Sequence, residues 1–262
     1  MSMHLSKKGL PMRRMIAVLV AMIGLASHPV AAQQTPSPRR TYVIVHGAWG
    51  GAWDWRRVDS MLTAQGHLVY RVQLTGLGER LHLASSGIGL GTHIDDVVNT
   101  LVWENLRNVV LIGHSYGGMV ITGVADRAPD RIARLIYLDA FVPDSGESVF
   151  SFQDSAGAAF FRANTRDGFI VPPWVTDVHV IPRDTPQPLH TFTDTLRLIN
   201  PDGRKVPATY ILTVDPGATS DPFQRFADRA TARGWRVLRM EADHIPERSA
   251  PDALVELLGR IP

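Results

Sequence analysis

The sequence predicts an α/β protein, with one mostly parallel sheet of about six strands and helices on both faces. Three observations predict it. Six short apolar, β-branched runs recur along the chain, and segments of helical patterning separate most of them. Residues able to do chemistry stand just past the C-terminal ends of several of these runs, and right-handed crossovers bring such ends to one sheet edge. With 262 residues, 45% apolar and 20% charged, the chain has the size and composition of one sizeable globular domain.

The first element is set apart from that domain. Lys7, Lys8, Arg13 and Arg14 precede an apolar run over 15–26, and Val30-Ala31-Ala32 offers the small residues a signal peptidase needs. Residues 1–32 therefore read as a secretory signal peptide, too short in its apolar run for a membrane span. Residues 33–40, with two prolines, read as a flexible leader. The expected location is periplasmic or secreted, with no stable membrane insertion after cleavage. This segment holds four of the 27 Lys and Arg residues but none of the 25 Asp and Glu, so the remainder carries a net charge of −2. Nothing in it suggests a nucleic-acid surface. There is no cysteine, which excludes disulfides and thiolate metal sites.

The domain then spans 41–262. Residues 41–46 (TYVIVH) form a strand ended by Gly47, followed by a Gly-rich loop and a helix over about 53–65. A strand over 68–72 comes next. Thr92 is suited to cap a helix over 93–105, with Asp95 and Asp96 in its first turn. A strand over 109–112 leads into a helix that runs to about Arg127, and the strand 134–138 ends at Asp139. Prolines 172, 173, 182, 186 and 188 break up the stretch from about 144 to 206. A structureless loop of that length does not suit a compact domain, so this stretch is expected to be a small cap between a strand and its following helix. Its Phe150, Phe152, Phe160, Phe161 and Phe169 are expected mostly to pack the cap onto the core, while Trp174 is placed in the substrate pocket. The alternation resumes with the strand 208–214, a helix over about 221–233, the strand 235–240 and a last helix near 251–258.

The chemistry centres on Gly113-His114-Ser115-Tyr116-Gly117, between an apolar strand and a helix. That context makes Gly-x-Ser-x-Gly a nucleophile elbow, in which a strained turn lifts the Ser115 hydroxyl clear of the sheet. A serine hydroxyl needs a base, and His244, just beyond the last strand, is the best candidate. The acid that orients the imidazole is left open between Asp139 and Asp215, each at a strand end. Asp139 is favoured because an unpartnered carboxylate there would be costly. Asp243, adjacent to the base, points the wrong way. The oxyanion hole is assigned to the N–H groups of Ala48 and Tyr116. His46, Gly47 and Trp49 from the first loop join Trp174 in the expected substrate pocket.

The blocks HGAWGGAWDW, LTGLGERLHL and LIGHSYGGMVI carry a resemblance that runs from Thr41 to Leu258. The chain resembles the α/β-hydrolase superfamily, and within it bacterial esterases related to plant hydroxynitrile lyases and methylesterases. The resemblance implies hydrolysis of small-molecule carboxylic esters through an acyl-serine intermediate, with no metal and no organic cofactor. The sequence departs from the plant enzymes at the late acid, where their aspartate aligns with Pro216, one past Asp215. Two rivals accompany this expectation. One is a C–C lyase using the same three residues, and the other is a non-catalytic ligand-binding scaffold.

Overall fold

The computed structural model describes residues 39–219 and 221–262. The stretch read as a signal peptide and most of the expected leader lie outside them.

The first strand, β1 (Thr41–Val45), shows how the layers arise. Its alternate side chains point to opposite faces, and both faces are buried. Tyr42 and Ile44 join one apolar core with Trp55, Val58, Leu62, Leu254 and Leu258. Val43 and Val45 join the other. A strand covered on both sides must be apolar throughout, which is why TYVIV shows no polar alternation.

After a 3-10 turn at Ala52–Trp55, helix α1 (Arg56–Ala64) sets Val58 and Leu62, four residues apart, against the sheet. Strand β2 (Leu68–Val72) follows. Helix α2 (Leu90–Trp103) starts earlier than the Thr92 cap predicts, because Leu90, Ile94, Val97 and Leu101 form its buried stripe. Its first N–H is taken by a distant carboxylate, Asp194 Oδ2, at 3.1 Å from Leu90 N. Asp96, expected to serve the helix terminus, instead accepts from the Thr75 N–H and hydroxyl at 2.7 and 2.8 Å.

Strand β3 (Val109–His114), helix α3 (Gly117–Arg127) and strand β4 (Ile132–Leu138) form the centre, and all six residues of β3 are buried. The insertion then holds helix α4 (Ser155–Asn164) and a small antiparallel sheet of β5 (Thr165–Arg166), β6 (Phe169–Ile170) and β7 (Gln187–Pro188), with the short helix α5 (His190–Thr193) after it. No regular α-helix separates it from the next strand. A 3-10 segment at Pro201–Lys205 does so, started by Pro201 at its first position and followed by Pro207, which cannot continue a helix. Phe161 packs on Phe150 and Phe192, and Phe152 on Phe141 and Phe226, so most of the insertion's aromatic residues serve packing.

Strand β8 (Ala208–Val214), helix α6 (Gln224–Ala232), strand β9 (Arg236–Glu241) and helices α7 (Pro246–Ser249) and α8 (Pro251–Gly259) complete the chain. The main sheet has the order β2-β1-β3-β4-β8-β9, and every pairing in it is parallel. The order reverses at β1 and β3, so the crevice for a ligand opens beyond their carboxyl ends. Among the described residues no helix is long and apolar enough to cross a membrane.

Candidate active site

Three neighbouring strands end at this crevice, and each delivers one residue whose backbone lies in the left-handed region. Trp49 after β1 has φ 61°, Ser115 after β3 has φ 51° and Asp139 after β4 has φ 42°. Side chains other than glycine occupy that region only at a cost of about 1–3 kcal/mol each, and they persist where surrounding contacts hold them. For Ser115 those contacts are its N–H to Leu138 O at 3.2 Å and its carbonyl accepting from Gly118 and Phe141 N–H, each at 3.1 Å. A side chain at Gly113 would come within 2.6 Å of Gly117 O, and one at Gly117 within 2.7 Å of Val45 O. The elbow therefore closes only with glycine at both positions.

The Ser115 hydroxyl lies 3.0 Å from His244 Nε2, and His244 Nδ1 lies 2.6 Å from Asp139 Oδ2. The carboxylate fixes the tautomer: Nδ1–H donates to Asp139, leaving the Nε2 lone pair to accept from the serine. Asp139 is fully buried, and its second oxygen accepts from the Thr213 N–H at 3.3 Å. Asp215 stands at the rim of the same cavity, exposed, with no hydrogen bond to His244. Asp243 accepts from the Ile245 N–H and the Ser249 hydroxyl, which turns it away from the imidazole.

Gly47, Ala48, Trp49, Ser115, Trp174 and His244 line a cavity of about 550 Å³. Trp49 and Trp174 meet edge to face with ring centroids 5.1 Å apart. Among the described residues, the N–H groups of Ala48 and Tyr116 have no intramolecular acceptor. Tyr116 precedes the first turn of α3, whose dipole favours negative charge there. When a serine hydroxyl attacks a carbonyl the negative charge forms on the carbonyl oxygen, and free backbone N–H groups at a helix N-terminus are the kind of group that stabilises it.

His46, expected in the pocket, is not there. It is buried with Nδ1–H donating to Gly47 O at 2.8 Å, while Nε2 accepts from the Leu74 N–H at 3.3 Å. Burial lowers its pKa to about 4, so it stays neutral and acts as a brace for the loop.

Two features of the site had no signal in the sequence. Phe223 stacks on His244 with centroids 4.7 Å apart and planes 22° from parallel. On another side, His114 Nε2–H donates to the His244 carbonyl at 2.6 Å. The Nδ1 of His114 is 3.3 Å from Glu247 Oε1, and both side chains are almost wholly buried. Burial, with Asp54 nearby, raises the Glu247 pKa to about 8, and burial together with His244 drives that of His114 well below the ordinary imidazole value. One consequence is measurable. A carboxyl whose folded pKa exceeds its unfolded value stabilises the fold fully at low pH, and that contribution is lost as pH rises towards 8. In thermal melts, Glu247→Gln is expected to gain on the wild type from pH 5.5 to 7.5, by about 1 kcal/mol per pH unit. A stability difference that is flat over this window refutes the assignment. Asp54, Asp243 and Arg248 also face Glu247 and are unchanged in the variant.

The fold and this site define an α/β hydrolase with a serine at its elbow. The chain belongs to the alpha/beta hydrolase family, whose model matches residues 42–257. It is 35% identical over 240 residues to a carbendazim hydrolyzing esterase of Nocardioides sp. (strain SG-4G), covering 84% of this chain and 98% of that one. It is also 34% identical over 121 residues to Methylesterase 2 of Arabidopsis thaliana, an alignment covering 42% and 43% of the two chains. A solved structure, an extracellular alpha/beta-hydrolase from a Paenibacillus species described as sharing structural and functional homology with tobacco salicylic acid binding protein 2, superposes with a TM-score of 0.71. It is 25% identical, and the match covers 84% of this chain and 97% of that one. The chain is a serine ester hydrolase by this kinship.

Proposed function

We propose that this hydrolase cleaves small to medium, uncharged carboxylic esters with apolar or aromatic groups, through an acyl-serine intermediate. Ser115 Oγ attacks the ester carbonyl as His244 Nε2 takes its proton, and Asp139 holds the imidazolium that forms. The N–H groups of Ala48 and Tyr116 bind the oxyanion. Collapse expels the alcohol, which receives the proton from His244. Water, deprotonated by the same imidazole, then releases the acid and restores the serine. The observation that carries this reading is the continuous hydrogen-bonded chain Ser115–His244–Asp139, with the serine and the aspartate at the ends of the adjacent strands β3 and β4 and the histidine just past β9.

The cavity supports the substrate class. Trp49 and Trp174 give it an aromatic wall, and Asp184, Asp215 and Asp243 give it an acidic rim. Arg248 is paired with Asp54 and Asp184, so it is not free to receive an anionic substrate. The lyase rival gains nothing from Lys205, the only lysine beyond the signal segment, which is exposed and pairs with Asp202. A periplasmic or secreted location is part of the proposal, supported by the signal pattern read at residues 1–32 and by the likeness to a Paenibacillus hydrolase described as extracellular. The test is p-nitrophenyl butyrate against the p-nitrophenyl hemisuccinate, with hydroxylamine to trap the acyl group. Butyrate turnover with at least tenfold lower kcat/KM for the anionic ester is expected. No ester turnover, or a preference for the anion, refutes the proposal.

A further inference from the structure

The loop that carries the Ala48 N–H is held from outside the main sheet. Trp49, next in the chain, has its backbone in the left-handed region, and every polar group it owns is bound by the insertion. Its N–H donates to Gln187 Oε1 at 2.7 Å, its carbonyl accepts from the Thr185 N–H at 2.8 Å, and its indole N–H donates to Ile170 O at 3.1 Å. Gln187 and Ile170 are register partners in the small antiparallel sheet, so β6 and β7 grip the residue together. Gln187 is fully buried, and its amide is fixed in turn by donation to Thr191 Oγ1 at 2.8 Å. The other end of the Ala48–Trp49 peptide is also tied, since the Ala48 carbonyl accepts from the Gly50 N–H at 2.7 Å.

We propose that Gln187 is a positioning residue for the oxyanion hole: by holding the Trp49 N–H, it fixes the backbone that aims the Ala48 N–H at the reacting carbonyl. The inference rests on the reading of Ala48 as an oxyanion donor. A peptide bonded at both ends cannot rotate about its flanking bonds without breaking a buried hydrogen bond, and a buried donor left unpaired is disfavoured. Without the Gln187 acceptor, the Trp49 N–H must find another partner, and the strained residue loses one of the contacts that maintain it. The preceding amide then turns away from the oxyanion position. Direct loss of an oxyanion donor costs about 10²–10³ in kcat. Loss of its support is expected to cost about 10- to 100-fold.

The test is Gln187→Met, which keeps length and apolar bulk but replaces the amide oxygen that accepts from the Trp49 N–H with a weakly accepting thioether. For p-nitrophenyl butyrate, kcat is expected to fall 10- to 100-fold with KM changed less than threefold. Affinity for a trifluoromethyl ketone, whose serine adduct carries an oxyanion, should fall by the same factor. A folded variant with kcat within twofold of wild type, or one whose only change is in KM, overturns the proposal. Thr191→Val leaves the three Trp49 hydrogen bonds in place and frees the far end of the Gln187 amide, together with the Thr191 hydroxyl's own bond to Pro188 O at 2.7 Å. It is expected to show a several-fold loss in the same direction, and no loss there also counts against the proposal, even should the methionine variant not fold. Hydrogen exchange of the Trp49 amide reads the same contact without turnover. Protection should drop at least tenfold in Gln187→Met, and unchanged protection refutes the role whether or not the ester reading holds.

Discussion

Replacing Ser115 with alanine is expected to lower kcat on p-nitrophenyl butyrate by about 10⁴- to 10⁶-fold and to abolish labelling by a fluorophosphonate. The loss is large because, among the described residues, this hydroxyl is the group that hydrogen-bonds His244 Nε2, at 3.0 Å. His244→Ala should fall to a similar level, since the hydroxyl without its base remains a weak nucleophile. The double variant should be hardly worse than either single one, because the two residues act as a unit. Residual activity would then report the two backbone donors and the aromatic wall, neither of which these substitutions touch. The comparison is made on protein with an unchanged melting profile, and Ser115→Ala retaining more than about 1% of wild-type kcat would remove serine catalysis from the account.

The parts of this fold visible in the sequence are those that local chemistry dictates. All six strands of the main sheet stood out as short runs rich in apolar and β-branched residues, most clearly β1, β3 and β8, where burial on both faces leaves no room for polar alternation. The elbow was visible because only glycine fits at Gly113 and Gly117. What sequence could not show were pairings between distant residues. Asp194 caps α2 from 104 positions away, which displaced the expected start at Thr92. His46 sits in a motif that suggests a pocket, yet Leu74, brought alongside by β2, claims its ring. Phe223, His114 and Gln187 act on the site through contacts spanning 21 to 138 positions, and none lies in a motif that announces that role. Insertions of this kind are read poorly for the same reason. Prolines at 186 and 188 argue for loop, while the strand Gln187–Pro188 exists through its pairing with Ile170 and Phe169.

The acid was the one role that residue spacing left divided, and the geometry turns it into a measurement. Asp139→Asn is expected to lower kcat about 10⁴-fold, whereas Asp215→Asn should stay within about threefold of wild type. The first substitution keeps the size and the Thr213 hydrogen bond of a buried side chain, so the fold should survive it. Its effect is on the proton. The asparagine amide can donate to His244 Nδ1, which forces the remaining proton onto Nε2, where it faces the Ser115 hydroxyl and can no longer accept. An imidazole in that tautomer is no base for the serine. At the rim, Asp215 is exposed and makes no contact with the ring, so neutralising it alters only the field at the cavity mouth. That change should appear in KM for charged esters, while kcat for the neutral butyrate ester holds. Steady-state kinetics on the two variants side by side decide the matter. A 10⁴-fold loss at position 215 with position 139 near wild type would mean that the imidazole turns to the rim during turnover, and the role given to the Asp139 carboxylate would be wrong.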